Sequence, residues 1–188
     1  IIQEKLFQLE TELLSLSDAG NRILSQDIVA TFPSPIFDNS AMDGFAVRSR
    51  DTKGASLENP VTLTMVSISS AGTPSNVSLN PGECIQCMTG AKIPDGADAI
   101  IMVEDSSGFS DSGTVQIMIE TFPGKHIRNM GEEIKEGEIL IQKGTTATPS
   151  EIGTCATFGY GELVVSKKPK IAIFGTGDEL IEPGKDLG

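Results

Sequence analysis

The sequence predicts an α+β protein that contains more than one structural unit. Helix-like spacing of apolar residues comes first, and between Phe37 and about Arg128 short apolar segments alternate with turn residues. A strand–helix–strand pattern follows this region. Hydrophobic residues make up 38% and charged residues 21% of the 188 residues, proportions that favour a folded protein over a disordered one.

The N-terminal region is predicted to be helical. Apolar residues recur at a helix-like spacing over 2–16, and a second short helical turn is predicted at 18–24. Pro33 and Pro35 then stop the helix and favour extended chain, so a boundary is expected near Phe37. The apolar positions of the first segment are Leu6, Leu9, Leu13, Leu14 and Leu16.

The middle region is predicted to be an all-β unit. Gly, Pro, Asn and Asp turns separate strands expected at 61–68, 84–88, 99–103 and 114–119. Short strands that are regularly interrupted by turns are typical of a barrel or a sandwich.

A strand–helix–strand unit is predicted next, with strands at 138–142 and 163–165 and a helix at 148–158. The helix signals are an N-cap, a proline at the first helical position, a glutamate that closes a capping box and a glycine stop: Thr148, Pro149, Glu151 and Gly159.

The last predicted element is a buried strand at 170–174 that runs into a Gly-rich turn at 175–177, which is how an α/β domain begins. Because one strand cannot bury both of its faces, we expect the remainder of that domain to follow residue 188 in the whole protein. The chain opens on Ile1 rather than Met, so we also expect a few residues to precede it.

The charge and hydropathy of the chain limit its partners. A net charge of −12 argues against nucleic acid and anionic membranes, which need a basic surface. No apolar stretch reaches 18 residues and no signal-peptide layout is present, so we expect a cytoplasmic protein without a membrane span.

The three cysteines do not form a disulfide framework by their number or spacing, which suits a reducing compartment. Cys84 and Cys87 form a C-x-x-C within a strand-like run, where residues three apart point to opposite faces. Without a second pair or a nearby His, this motif indicates core and surface thiols rather than redox or metal chemistry.

Five runs rich in Gly, Asp, Glu, Thr and Ser lie next to apolar segments, at 37–48, 88–99, 102–105, 124–134 and 175–180. Taken alone, each has a structural explanation, such as Asx-turns or the capping box formed by Thr176 and Glu179. In their order and spacing, however, the runs FDNSAMDG, MTGAKIPDGADAI, IRNMGE and TGDEL closely resemble those of MoeA-type molybdopterin molybdenumtransferases, the family that includes the E domain of gephyrin.

This resemblance spans essentially the whole chain and implies a domain plan. Residues 1–38 and 137–167 would form a discontinuous α/β first domain, and 39–136 a β-rich, barrel-like second domain inserted into it. Residues 168–188 would begin the α/β third domain that binds molybdopterin.

The resemblance also implies an activity in molybdenum cofactor biosynthesis. Molybdenum from molybdate would be inserted into adenylated molybdopterin with release of AMP, assisted by a divalent cation such as Mg²⁺. The family's site lies between the subunits of a homodimer, so we expect a homodimer, with the molybdopterin adenylyltransferase as a further partner. Without most of the third domain, the 188-residue chain alone is expected to be inactive.

Several residues match the family's functional positions. Asp43 would organise the metal or molybdate site, the Thr89 hydroxyl and the Gly90 N–H would bind an oxyanion, as would Arg128, and Glu179 would lie at the molybdopterin end. The catalytic residues implied by the resemblance are Asp43, Thr89, Arg128 and Glu179. The implied cofactor-binding residues are Ser40, Gly90, Thr176, Gly177 and Asp178. The implied metal ligands are Asp43, Glu133 and Glu179.

The run at 124–134 departs from the family pattern. Many relatives have further basic residues after the arginine and an Asp beyond the glycine, whereas here Asn129 and Met130 follow Arg128 and the acid is Glu133. This puts the role of Glu133 in doubt more than that of Arg128. His126 is a lone histidine, a residue that is more often on the surface than catalytic.

Two alternative functions compete with the transferase. A gephyrin-like scaffold would use the same fold to cluster a membrane receptor, although retention of the polar set above favours an enzyme. A nucleotide-binding turn at 175–177 is disfavoured, because Leu180 stands where G-x-G-x-x-G requires Gly and the adjacent acids would repel a phosphate.

Overall fold

The computed structural model describes residues 9–177 and 180–186. The chain divides into two compact units, one formed by residues 1–28 and 140–188 and the other by residues 29–139. The second unit is thus inserted into the sequence of the first. Assignment of these units to the first two domains of a family stays a prediction, as do the boundaries expected at 38/39 and 136/137.

The strands of the inserted unit are β3 (Asn39–Ser40), β4 (Gly44–Val47), β5 (Val61–Ser69), β6 (Glu83–Cys87), β7 (Ala99–Met102), β8 (Thr114–Ile117) and β9 (Ile127–Arg128). Five of them form one sheet with the order β7-β4-β6-β5-β8. Strands β5 and β6 run parallel, and the other neighbours run antiparallel. A separate two-stranded ribbon pairs β3 with β9.

Strand β4, which lies between β7 and β6, is buried on both faces because its side chains alternate between two apolar clusters. Phe45 and Val47 pack into one cluster with Cys84, whereas Ala46 packs into the other with Cys87. The two cysteines therefore point to opposite faces of β6, as predicted. Both are fully buried, so the expectation of core thiols is confirmed and that of a surface thiol is wrong.

The described part of the other unit combines a helix with short strands. Strand β1 (Thr11–Ser15) pairs antiparallel with β11 (Glu162–Ser166), and β2 (Ile28–Val29) pairs with β10 (Ile139–Ile141). Helix α1 (Pro149–Thr157) begins with the predicted capping box between Thr148 and Glu151. It ends just before the predicted stop, Gly159, which follows the cap residue Phe158 and has a φ of +80°.

The helix predicted at 2–16 is wrong where the structure describes it, because residues 11–15 form strand β1 and residues 18–24 form turns and isolated bridges. Leu14 packs against the core while Leu13 is 58% exposed, an alternation with the period of a strand. Pairing with the distant β11 decides the conformation. Residues 2–8 of that prediction lie outside the described residues.

The strand predicted at 170–174 is also wrong, because these residues have no regular structure. Ile171, Ile173 and Phe174 are 77%, 91% and 85% exposed. A strand needs a hydrogen-bonded neighbour, and none of the described strands pairs with this segment. The four strands expected between 61 and 119 are confirmed, with ends that differ by one or two residues.

The helices of the described part of the chain include none with the length and apolar character required to cross a membrane.

Candidate functional site

Asp43 lies on the tight connection between β3 and β4 in the inserted unit. The next residue must be glycine, because a Cβ at Gly44 would lie 1.9 Å from the carbonyl oxygen of Ile101 on the neighbouring β7. The Asp43 carbonyl accepts a hydrogen bond of 3.0 Å from the N–H of Val103, just beyond β7. Close packing of β4 on β7 therefore fixes the backbone from which the carboxylate projects.

The Asp43 carboxylate is held by Thr89, which follows β6. The backbone N–H and the hydroxyl of Thr89 both donate to Oδ1 of Asp43, each at 2.7 Å. These two bonds, the backbone one first, lower the pKa of Asp43 from its ordinary value. Both residues are exposed, and the described residues give Oδ2 no hydrogen-bond partner. Asp43 thus presents one ionised oxygen to solvent.

Ser40 and Gly90 support this pair rather than facing outward. The Ser40 hydroxyl donates to the Met42 carbonyl at 2.5 Å and accepts from the Met42 N–H at 3.3 Å, which closes the turn before Asp43. The Gly90 N–H donates to the Ser40 carbonyl at 2.8 Å. In this conformation the Gly90 N–H is therefore engaged with Ser40, and oxyanion binding by Gly90 stays a prediction.

Arg128 lies on β9, directly opposite Asn39 in the β3–β9 ribbon. Its side chain is half-buried, and no acidic side chain of the described residues pairs with it. Glu133 lies further along the chain and is exposed, and its Oε2 accepts from the Ser34 hydroxyl at 3.2 Å. Among the described residues Arg128 is therefore a cation without an ion-pair partner, whereas Glu133 is hydrogen-bonded to Ser34.

Thr176 and Gly177, two of the residues expected at the molybdopterin end, belong to the other unit. Thr176 and Gly177 are exposed and lie in a segment without regular structure. Asp178 and Glu179 lie outside the described residues. Their assigned roles stay predictions.

The described residues contain no cluster of predicted metal ligands. Among residues 9–177 and 180–186 there is no group of three or more His, Cys, Asp or Glu side chains placed to hold a metal. Asp43 contributes one free carboxylate oxygen, which is a suitable ligand for a hard cation. Metal binding by Asp43, Glu133 and Glu179 stays a prediction.

Two residues that the sequence prediction missed lie beside this site. Asn39 is 7% exposed, and its Oδ1 is buried without a hydrogen-bond partner in the described structure. Lys92 is exposed and forms an antiparallel bridge with Asn39. Lys92 stands within the MTGAKIPDGADAI run, but no local signal in the sequence indicates that it lies opposite Asn39.

Cys84 and Cys87 are inert structural groups. Burial raises the pKa of Cys84 to about 12 and that of Cys87 to about 11, so both stay protonated at neutral pH. Their burial agrees with the expectation that core thiols occupy the C-x-x-C motif.

Comparison with known proteins gives consistent matches. The family model of the MoeA N-terminal region (domain I and II) matches residues 1–159. The molybdopterin molybdenumtransferase of Bacillus subtilis (strain 168) is 41% identical over 186 residues, which cover 95% of this chain and 43% of that protein. Molybdopterin molybdenumtransferase 2 of Mycobacterium tuberculosis (strain ATCC 25618 / H37Rv) is 38% identical over 187 residues, covering 100% of this chain and 46% of that protein.

The fold is also shared with a solved structure. A crystal structure of the molybdopterin biosynthesis MoeA protein from Pyrococcus horikoshii OT3 superimposes with a TM-score of 0.85 at 36% identity, covering 94% of this chain and 46% of that one. The chain therefore spans less than half the length of these proteins.

Proposed function

The chain belongs to the MoeA family, of which it carries the N-terminal region, and from this membership we propose that the protein containing it is a molybdopterin molybdenumtransferase. The proposed reaction transfers molybdenum from molybdate to the dithiolene of adenylated molybdopterin and releases AMP. Relatives that carry this name match nearly all of the chain. They favour an enzyme of molybdenum cofactor biosynthesis over a gephyrin-like scaffold.

The observation that supports this function best is the Asp43–Thr89 pair. Two donors of Thr89 on Oδ1 keep the Asp43 carboxylate ionised and orient it, while Oδ2 remains open to solvent. An oriented carboxylate oxygen can accept a hydrogen bond from a substrate or a water molecule without reorganising during the reaction. Asp43 thus supplies a fixed acceptor at the surface of the inserted unit.

We propose that a divalent cation such as Mg²⁺ also takes part. When bound, it would neutralise negative charge on molybdate and phosphate oxygens. Asp43 would hold it through Oδ2, and Glu133 and Glu179 are the further candidates. Thr176, Gly177 and Asp178 would contact molybdopterin, a role supported by their match to the family's TGDEL run.

The remaining proposals concern assembly. The resemblance supports a cytoplasmic homodimer that receives its substrate from the molybdopterin adenylyltransferase. It also supports a discontinuous first domain at 1–38 and 137–167, an inserted second domain at 39–136 and the start of a third domain at 168–188. Since the chain spans less than half of its relatives, the 188 residues alone are proposed to be inactive.

The experiment that tests this function uses the full-length protein with Asp43→Ala. Molybdate-dependent conversion of adenylated molybdopterin and release of AMP are measured, with circular dichroism as a check on folding. Asp111→Ala is the matched control, because Asp111 is also an exposed aspartate of the inserted unit.

We expect activity to fall by orders of magnitude in Asp43→Ala and to be unchanged in Asp111→Ala. Unchanged activity in a folded Asp43→Ala protein would remove Asp43 from the site. Absence of transfer activity in the wild-type protein would refute the proposed function itself.

A further inference from the structure

The strand register brings two unpaired cations to the two sides of one buried amide. Arg128 is the antiparallel partner of Asn39 on β9, and Lys92 is its antiparallel partner on the other side. Backbone hydrogen bonds of 3.0 Å from Ser40 to Ala91 and from Ile93 to Asp38 flank the Asn39–Lys92 bridge. Side chains of directly opposed residues lie on the same face of an antiparallel pair, so all three share one face.

The spacing of the two cations suits a small anion. Their backbones are separated by two strand spacings, roughly 10 Å, and both side chains are long enough to converge over Asn39. No carboxylate of the described residues lies within ion-pair distance of either cation. In a chain with a net charge of −12, an unpaired Lys–Arg pair is a local exception to the general repulsion of anions.

Asn39 lacks the hydrogen bonds that its burial requires. Among the described residues its Oδ1 has no partner, and its Nδ2 donates only a long bond of 3.4 Å to the Phe37 carbonyl. An unsatisfied buried polar group is costly, and a ligand or water that bonds to the amide offsets this cost. Rotation of the side-chain amide by a half-turn about its Cβ–Cγ bond exchanges the oxygen and the NH₂ group. The NH₂ group then lies where Oδ1 lies now and can donate to an anion oxygen.

A groove of about 400 Å³ beside Lys92 leaves room for a ligand, although neither Arg128 nor Asn39 lines it. Lys92 lines it together with Asp38, Asp95 and Met130. Asp38 already accepts a hydrogen bond of 2.7 Å from the Met130 N–H. Because Asp38 and Asp95 repel anions, an anion is expected only where both cations reach it.

We propose that Lys92 and Arg128, with Asn39 between them, bind a tetrahedral oxyanion. The anion is molybdate or a phosphate group, which share tetrahedral oxygens and negative charge. The choice of these anions rests on the proposed function, whereas the site itself rests on the register and on the unsatisfied amide.

The test is isothermal titration calorimetry on the full-length protein, with molybdate and inorganic phosphate titrated separately. Lys92→Met removes the charge and keeps an unbranched side chain that is one heavy atom shorter. We expect it to weaken binding of the preferred anion by about tenfold or more, the effect of losing one charge-assisted hydrogen bond. The matched control is Lys53→Met, because Lys53 is also an exposed lysine of the inserted unit.

Two further variants test the rest of the site. Arg128→Lys keeps the charge but not the planar donor fork, and we expect intermediate weakening. Asn39→Leu removes the amide donor, and we expect weaker binding in a protein whose circular dichroism is unchanged. The anion that binds more tightly to the wild type identifies the source of the oxyanion.

The proposal is overturned if neither anion binds the wild type, or if Lys92→Met binds both as tightly as Lys53→Met does. These readouts do not depend on turnover. A protein that binds the anion through Lys92 and Arg128 but transfers no molybdenum would refute the proposed function and leave this inference standing.

Discussion

Thr89 donates its backbone N–H and its hydroxyl to the same oxygen of Asp43, each at 2.7 Å, although the two residues are 46 positions apart in the chain. This arrangement differs from the expectation that the Thr89 hydroxyl binds an oxyanion. In the structure the hydroxyl orients the carboxylate, and the second carboxylate oxygen remains available. In this conformation Thr89 orients Asp43, and oxyanion binding by Thr89 stays a prediction.

Replacement of Thr89 by valine is expected to lower transferase activity of the full-length protein while the fold survives. Valine has a similar shape but cannot donate the side-chain hydrogen bond, so Asp43 retains only the backbone bond. Misplacement of a catalytic group reduces rates on the order of a hundredfold. Thr89→Ser retains the hydroxyl and is expected to keep most of the activity. Equal losses in the two variants would contradict a positioning role.

The pKa of Asp43 should respond to the same substitutions. The pKa is lowered by the Thr89 N–H first and the Thr89 hydroxyl second. A lowered pKa in the folded state stabilises the protein above the ordinary aspartate value, and this contribution is lost as the pH falls through the lowered value. Carbon-13 NMR titration of the carboxyl group is expected to show a higher pKa in Thr89→Val, still below the ordinary value because the backbone bond remains. A pKa equal to that of the wild type would exclude the hydroxyl as a cause.

Local signals in the sequence were sufficient for helix α1, because its capping box joins Thr148 to a residue only three positions away. They were misleading for β1, whose partner β11 is distant in sequence, with Leu14 opposite Leu163. The leucine spacing alone fits a helix. Only the pairing with β11, which the spacing does not reveal, makes this segment a strand.

The same limit applies to the site. The SAMDG run identified Asp43 as a functional candidate, and the MTGAKIPDGADAI run identified Thr89 separately. Neither run shows that the two side chains bond to each other or that Lys92 faces Asn39. Those relations depend on the register of the β4–β6 pair and on the Asn39–Lys92 bridge, which the sequence pattern does not specify.

Gly44→Ala is expected to destabilise the protein by about 3 kcal/mol or more, because the added Cβ meets a backbone oxygen that cannot move without separating β4 from β7. Gly153→Ala is the opposing control. Gly153 lies inside helix α1, a Cβ there meets nothing within 4 Å, and the change should stabilise by roughly 0.5–1 kcal/mol. Chemical denaturation of both variants measures the difference. A Gly44→Ala protein as stable as the wild type would mean that β4 and β7 do not pack as described.

The three cysteine thiols should be unreactive in the native protein. Cys84 and Cys87 are fully buried with pKa values of about 12 and about 11, and burial also raises the pKa of Cys155. Reaction with a disulfide reagent requires an accessible thiolate, so labelling at about pH 8 should be slow in the native state and should reach all three thiols in denaturant. Ser110→Cys supplies an exposed thiol in a loop and should react at once under native conditions. Rapid labelling of Cys84 or Cys87 in the native protein would show that β6 opens to solvent, and the sheet that carries Asp43 and Thr89 would then be less rigid than their hydrogen bonds require.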